Sequence, residues 1–368
     1  HRLVSCIWAS AGYATRGERF SVNDGERRLL EWLSYNKVVG FDHFYLYDNS
    51  GAFSNQTSLK AVADAFPGDV TYIPWPSKVC NNRKTGVDSP GERSSQYAAE
   101  SSCRLRFGPH VDWIGQFDID EYIVPMGEHK TIQSLLDKLE KEDTRVISSA
   151  SWRAWPRWQY IEPIVKIEDK KTCGKNEPCF NLRIPANTTF LQAYNCDRQQ
   201  PGMKTARMPA EKQIYRPEYV LQHFVHYSAV TALSIKNREE WKEEGMKWKP
   251  KAFPDPRQRF GSETDELLMI HSKAVAIQDT AGWERVCQQA YTDLPAPEGK
   301  KKELCRLGIP WPKPWPEKPE EAEVRATADG WSYNCFVNDQ VESYLVPRLK
   351  QELAKRSKLL AGDTANDA

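Results

Sequence analysis

The sequence has no run approaching about eighteen consecutive apolar residues, so nothing in it reads as a membrane-spanning helix. Neither sign of charge dominates: 51 Lys and Arg stand against 50 Asp and Glu, a net charge of +1. That balance argues against a nucleic-acid binder, which carries a basic face or excess, and leaves room for a local basic pocket for phosphates. No CxxC pair occurs, which argues against a zinc ribbon. There is no internal repeat. The first residue is His1 and not Met, and a targeting segment or anchor is expected to be missing ahead of it.

Against these absences stand 368 residues that are 40% hydrophobic and 27% charged, enough for a sizeable core. The length suits one large α/β domain with an extension. Thirteen Trp and fifteen Tyr are available as core or as platforms for sugar rings. Nine cysteines fall at 6, 80, 103, 173, 179, 196, 287, 305 and 335. Cys173 and Cys179 are close enough to close a small loop, with Cys196 nearby. Two acceptor sequons, Asn55-Gln56-Thr57 and Asn187-Thr188-Thr189, accompany them. Together these point to an oxidising lumen and some disulfides, and an odd count leaves at least one cysteine free or paired between chains.

Strand and helix signals alternate. LVSCIWAS (3–10) reads as a buried strand and NDGERRLLEWLSYNKVVG (23–40) as a helix with Leu29, Leu30 and Leu33 on one face and Gly40 as its stop. Strand FDHFYLYDNSG (41–51), helix 58–66, strand 69–75, helix 94–107 and strand VDWIGQFDID (111–120) follow. In TIQSLLDKLEKE (131–142), Ile132, Leu135, Leu136 and Leu139 recur at i, i+3, i+4, i+7, an amphipathic helix. Strand 145–155 comes next, and 213–231 returns to strand-like alternation. LLMIHSKAVA (267–276) and WERVCQQAY (283–291) read as helices. The pattern predicts an α/β fold with a mostly parallel central sheet flanked by helices. Residues 1–294 are assigned to the catalytic domain. Residues 295–368 are a Pro/Lys-rich linker and a C-terminal helical extension, interrupted near Pro347.

In such sheets ligands bind beyond the carboxyl ends of the strands, where YDNS (47–50) and DIDE (118–121) both fall. Three carboxylates at the end of a buried strand need a compensating cation. In extended chain Asp118 and Asp120 point to one side, and two hard oxygen ligands suit Mn²⁺ or Mg²⁺ held jointly with a substrate's phosphates. The plainer reading is a solvated turn with helix-capping aspartates. His223 or His226 is in position to add a nitrogen ligand, or is a hydrogen-bonded core residue. Lys204, Lys212 and Arg216 are candidates to hold phosphates, or are ordinary surface cations. Asp48 accepts from a base or ribose if YDNS lines the crevice, and otherwise forms a turn.

EWLSYNKVVGFDHFYLYDNSG, then WIGQFDIDEYIVP, then KQIYRPEYVLQHFVHYS resemble glycosyltransferase family 92 over about residues 3–235. The resemblance implies a GT-A fold with a metal-dependent DxD motif. It also implies an inverting mechanism, a UDP-sugar donor, most commonly UDP-galactose, and a glycan acceptor. By position, Asp118 and Asp120 match the DxD. His226 matches the later metal-ligating histidine, and Asp48 matches the strand-end acid near the uridine. The resemblance further implies the Golgi lumen, as the luminal part of a single-pass type II membrane protein. One segment departs from the family: SWRAWPRWQYIEP (151–163) lacks a Gly/Ser-rich stretch, so the acceptor is not carried over.

The expected chemistry is a single displacement with a carboxylate taking the acceptor's proton. Asp197 and Glu211 lead as candidate bases, ahead of Asp255 and Glu263. Trp152, Trp155 and Trp158 are candidate stacking surfaces for acceptor sugars. A nucleotidyltransferase of similar fold, or a non-catalytic glycan-binding module, is the alternative.

Overall fold

The computed structural model describes residues 1–11, 25–52, 58–77, 92–151, 154, 160, 162–167, 179–196, 211–225, 227–229, 257–272 and 337–361. The chain opens with β1 (Leu3–Ala9), α1 (Gly25–Val38), β2 (His43–Asp48), α2 (Lys60–Asp64), β3 (Val70–Pro74) and α3 (Glu92–Phe107). It continues through β4 (Trp113–Gln116), β5 (Glu121–Pro125), α4 (Ile132–Lys141) and β6 (Val146–Ala150). Next come β7 (Glu162–Ile167), β8 (Cys179–Arg183), a short helix Phe190–Ala193, β9 (Glu211–Tyr215), β10 (Gln222–Phe224) and β11 (Tyr227–Ala229). The last elements are β12 (Gln258–Phe260), β13 (Leu267–His271) and a C-terminal helix, Val346–Leu360, entered through a π-helical turn at Val341–Leu345.

Seven strands form the central sheet in the order β12-β6-β9-β4-β1-β2-β3. Every pairing is parallel except those of β9, which runs antiparallel between β4 and β6. The mostly parallel α/β architecture predicted from the alternating pattern is therefore present. β1 and β2 are buried along their whole length, which explains their continuous apolar reading: each face meets a different layer. Side chains alternate across β1, so Leu3, Ile7 and Ala9 join one core with α1, α4 and the C-terminal helix. Val4, Cys6 and Trp8 join a second core with Ala99 and Cys103 of α3.

Local chemistry fixes the element ends. Gly40 stops α1 in the left-handed region at φ +100°, where the following Phe41 N–H reaches back to Asn36 O. Thr131 caps α4 through its hydroxyl, which accepts from Ser134 N–H at 3.2 Å. Cys6 and Cys103 form a buried disulfide that ties β1 to α3 across 97 residues, and Cys196 is disulfide-bonded as well. The C-terminal helix begins beside Pro347 and buries Leu345, Val346 and Leu349 in the first core. Among the described residues no helix is long and apolar enough to cross a membrane.

Two expectations need correction. Residues 267–271 form strand β13, antiparallel to β5 from Leu267↔Pro125 to His271↔Glu121, where a helix is expected over 267–276. A short, wholly apolar run lacks the polar interruptions that separate a buried strand from a buried helix, and here pairing with β5 decides the matter. The second correction concerns 111–120. β4 ends at Gln116, and Asp118–Asp120 make a turn into β5, which leaves the central sheet to pair with β13. The segment 283–291 and the Pro/Lys-rich stretch 295–320 lie outside the described residues.

Candidate active site

β2 and β3 extend the sheet from one edge of β1, while β4 lies against its other edge. The direction of build-up reverses between β1 and β4, and at such a switch point a crevice opens beyond the carboxyl ends of the strands. The Asp118–Glu121 turn stands on β4 at that crevice. Asp48 ends β2 at the same level, opposite Ala9, two strands and about 10 Å away.

The turn closes on itself. Glu121 N–H donates to Asp118 O at 2.9 Å, and Glu121 Oε2 accepts from Asp118 N–H at 2.9 Å. Glu121 is therefore the clamp that shapes the turn, which assigns the third carboxylate of the motif. The two aspartates do not lie in extended chain; the turn sets their directions. Gln96 of α3 donates to Asp118 Oδ1 at 2.8 Å and to Glu100 Oε1 at 2.9 Å. The disulfide at Cys103, on the same helix, anchors this contact to β1.

Because β9 is antiparallel, its first residues arrive at the carboxyl end of β4. Lys212 places its ammonium 3.3 Å from Asp118 Oδ2 and 3.1 Å from Glu121 Oε2, with a side chain only 1% exposed. On the far side, β13 brings His271 Nε2 to 3.5 Å from Asp120 Oδ2. Ser151 Oγ bridges Glu121 Oε1 and His271 Nδ1, each at 2.9 Å. The backbone carbonyl of Asp120 accepts from Ser272 N–H at 2.6 Å.

The structure thus gathers Asp118, Asp120 and Lys212, and adds Glu121, Gln96, Ser151 and His271. Glu211 stands at the same strand end but alternates to the other face, where Gln213 donates to it at 3.4 Å. Arg216 leaves β9 at the opposite end of the sheet, paired with Glu218 and lying over the Trp113 ring. The Asp48 carboxylate accepts from Ser50 N–H, Leu59 N–H, Tyr72 Oη–H and Ser58 Oγ–H, which ties the β2 turn to the start of α2. His223 is a buried core residue, its Nδ1 2.8 Å from Ser228 Oγ and its ring stacked on Tyr215. Glu263 precedes β13 and is separated from the Asp118 turn by the length of that strand. Asp197, Lys204, His226, Asp255, Trp152, Trp155 and Trp158 lie outside the described residues.

The donor set fits a hard divalent cation. Among the described residues Asp118, Asp120 and Glu121 bring three buried carboxylates together, with the Lys212 ammonium against Asp118 and Glu121 and His271 beside Asp120. Among the described residues no three His, Cys, Asp or Glu side chains are already gathered into a metal cage.

The model of glycosyltransferase family 92 matches residues 20–247, which contain β2, the Asp118–Glu121 turn and β9. The chain belongs to this family. The glycosyltransferase family 92 protein Os08g0121900 of Oryza sativa subsp. japonica is 28% identical over 110 residues, 30% of this chain and 16% of the rice protein's own length. Among solved structures, 4-diphosphocytidyl-2C-methyl-D-erythritol synthase from Anaerococcus prevotii is similar with a TM-score of 0.27 and 11% identity, over 66% of this chain and 99% of that one. The CMP-2-keto-3-deoxy-manno-octonic acid synthetase complexed with CTP has a TM-score of 0.26 and 12% identity, over 71% and 89%. At TM-scores this low neither likeness bears on the chemistry.

Proposed function

We propose that this family 92 member is a metal-dependent, inverting glycosyltransferase that moves a sugar, galactose first among the candidates, from a UDP-sugar to a glycan acceptor. The observation that carries this reading is the Asp118–Glu121 turn: three buried carboxylates at the switch point of a mostly parallel sheet, inside the span matched by the family. Asp118 and Asp120 would hold the Mn²⁺ or Mg²⁺, which supplies neutralisation of the diphosphate charge as UDP departs. His226, by its match to the family's later histidine, is a further ligand in this reading.

This chain's own residues do the rest. Glu121 and Gln96 fix the directions of Asp118. Lys212 balances part of the carboxylate charge, and Lys204 belongs with it as a candidate phosphate partner. Arg216 does not fit that task, because β9 carries it to the far end of the sheet. Asp48 contributes by holding the β2 turn that borders the crevice. In the displacement, the acceptor oxygen bonds to the anomeric carbon as the carbon–oxygen bond to UDP breaks. Asp197 is the candidate to take the hydroxyl proton; Glu211 does not fit that task, because β9 turns it to the face opposite Lys212. A luminal Golgi setting accords with the buried Cys6–Cys103 disulfide.

The test is a product assay. The purified chain is given a panel of UDP-sugars, mixed glycan acceptors and Mn²⁺, and UDP and pyrophosphate are measured separately. UDP release that needs both metal and acceptor supports the reading. Pyrophosphate release from UTP and a sugar phosphate would replace it with nucleotidyl transfer. Glycan binding that survives chelation and Asp120→Ala, with no turnover, would replace it with a binding module.

A further inference from the structure

The sequon Asn187-Thr188-Thr189 has no part in the proposed reaction. It stands in a segment pinned to α1 at both ends. Arg27 Nη1 donates to Ile184 O at 2.8 Å, and Arg27 Nη2 donates to Pro185 O at 2.6 Å and to Thr188 O at 2.7 Å. Beyond the turn, the Glu31 carboxylate accepts from Phe190 N–H at 2.7 Å and from Leu191 N–H at 2.8 Å. Thr188, Thr189, Phe190 and Leu191 are buried, whereas Ala186 and Asn187 are exposed. The two anchors therefore hold the segment down and leave Ala186 and Asn187 facing solvent.

Asn187 is the third residue of a turn closed by Thr188 N–H donating to Pro185 O at 3.0 Å. Its Oδ1 accepts from Thr188 Oγ1–H at 3.3 Å, and among the described residues its Nδ2 meets no acceptor. That nitrogen is the atom an N-linked glycan substitutes, so a glycan here breaks no bond of the fold and sits on a surface loop. Thr189 is placed differently. It is 4% exposed, and its Oγ1 caps the short helix Phe190–Ala193 by accepting from Gln192 N–H at 3.0 Å. A glycan transferase that reads the third-position hydroxyl of the sequon cannot reach it in the folded chain. The other sequon, Asn55-Gln56-Thr57, lies outside the described residues.

We propose that Asn187 is an N-glycosylation site, modified before the 184–191 segment folds onto α1. The co-substrate is an oligosaccharide carried on a lipid diphosphate. Asn187 Nδ2 bonds to the anomeric carbon as that carbon's bond to the diphosphate oxygen breaks. The amide gives up one proton to a base of the transferase, and the lipid diphosphate leaves. Folding then withdraws the Thr189 hydroxyl into its cap and presents the glycan on the outward turn. The proposal rests on the luminal setting given above.

The experiment translates the full chain behind a secretory signal peptide in the presence of microsomes. An Asn55→Gln background leaves Asn187 as the one acceptor sequon. We expect the protease-protected chain to show a mobility shift of one glycan that endoglycosidase H reverses. The shift should be lost in Asn187→Gln and Thr189→Ala and kept in Thr189→Ser. Protected chain with no shift overturns the site. Chain that is released, oxidised and folded before the transferase is supplied should accept little glycan, and modification equal to that of the nascent chain overturns the order of events. The signal peptide puts the chain in the lumen whatever its own address, so a bare Asn187 refutes the site and leaves the Golgi reading standing. Locating the protein in its own cells tests that reading separately: a cytosolic address refutes it, and the native glycan with it.

Discussion

Replacing Lys212 by Met tests how the carboxylate cluster is held together. The thioether chain keeps the volume of the lysine stem and removes only the charge. In the native protein the ammonium lies 3.3 Å from Asp118 and 3.1 Å from Glu121, where the side chains of Lys212 and Glu121 are 1% and 2% exposed. Removing one partner of such a buried pair strands the other charge, at a cost of about 3–5 kcal/mol. Gln96 and Ser151 still donate to the two carboxylates, which favours the lower end of that range. Unfolding entropy of about 2.1 cal/mol/K per residue over the chain converts the cost to a Tm fall of about 4–6 °C. The stranded carboxylates are relieved by protonation, so the deficit against wild type should be larger at pH 8 than at pH 5. Mn²⁺ alone should raise the Tm of the variant more than that of the wild type, because the cation then replaces the missing ammonium. Urea titrations at both pH values and melts with and without Mn²⁺ measure these effects. A cost below about 1 kcal/mol that is the same at both pH values would refute the account of a charge-balanced turn.

Glu266 gives a second pH signature. Burial acts to raise its pKa, but hydrogen bonds from Arg259, Lys138 and the Ser262 backbone outweigh it and bring the carboxyl from 4.5 down to about 2. A depressed folded-state pKa contributes stability that is present above pH 4.5 and lost as pH falls towards 2, at most about 3 kcal/mol. Urea titrations between pH 6 and pH 2.5 should show that loss in the wild type and a smaller one in Glu266→Gln. Cutting the Cys6–Cys103 disulfide by a paired Cys→Ala change should cost about 2–4 kcal/mol, because the bond closes a loop of 97 residues, read as a lower denaturation midpoint with a larger m, since the uncrosslinked denatured chain exposes more surface. Gly115→Ala should cost about 1–3 kcal/mol, since an added Cβ would lie 2.7 Å from the Phe117 ring and 3.0 Å from Phe41. A neutral Gly115→Ala melt would show that β4 has slack.

Much of the frame was legible because its signals are local. β1 and β2 read as strands from continuous apolar runs, and α4 from its i, i+3, i+4, i+7 spacing. The site was legible only as far as its local part. WIGQFDIDE reads as one extended segment, and nothing in the residues themselves says that the strand stops at Gln116 or that Glu121 serves as the clamp. Lys212 reads as a cation for phosphates; its pairing with Asp118 follows from the antiparallel insertion of β9, a contact 94 residues apart in sequence. Gln96 and Glu100 carried a usable signal, since they are four apart on one helix face with Cys103 a turn beyond. His271 carried none. It follows an apolar run that reads equally as helix, and only the β13–β5 register aims it at Asp120.

Thermal unfolding with Mn²⁺ and UDP together, each alone, and UDP with a chelator addresses the central claim most directly. Ligand at one hundred times its dissociation constant adds about 2.7 kcal/mol. The account predicts a clear rise in Tm only when both are present, abolished by Asp120→Ala. An equal rise with UDP and chelator, or no response to UDP under any condition, would contradict a metal-bound diphosphate at the Asp118–Glu121 turn.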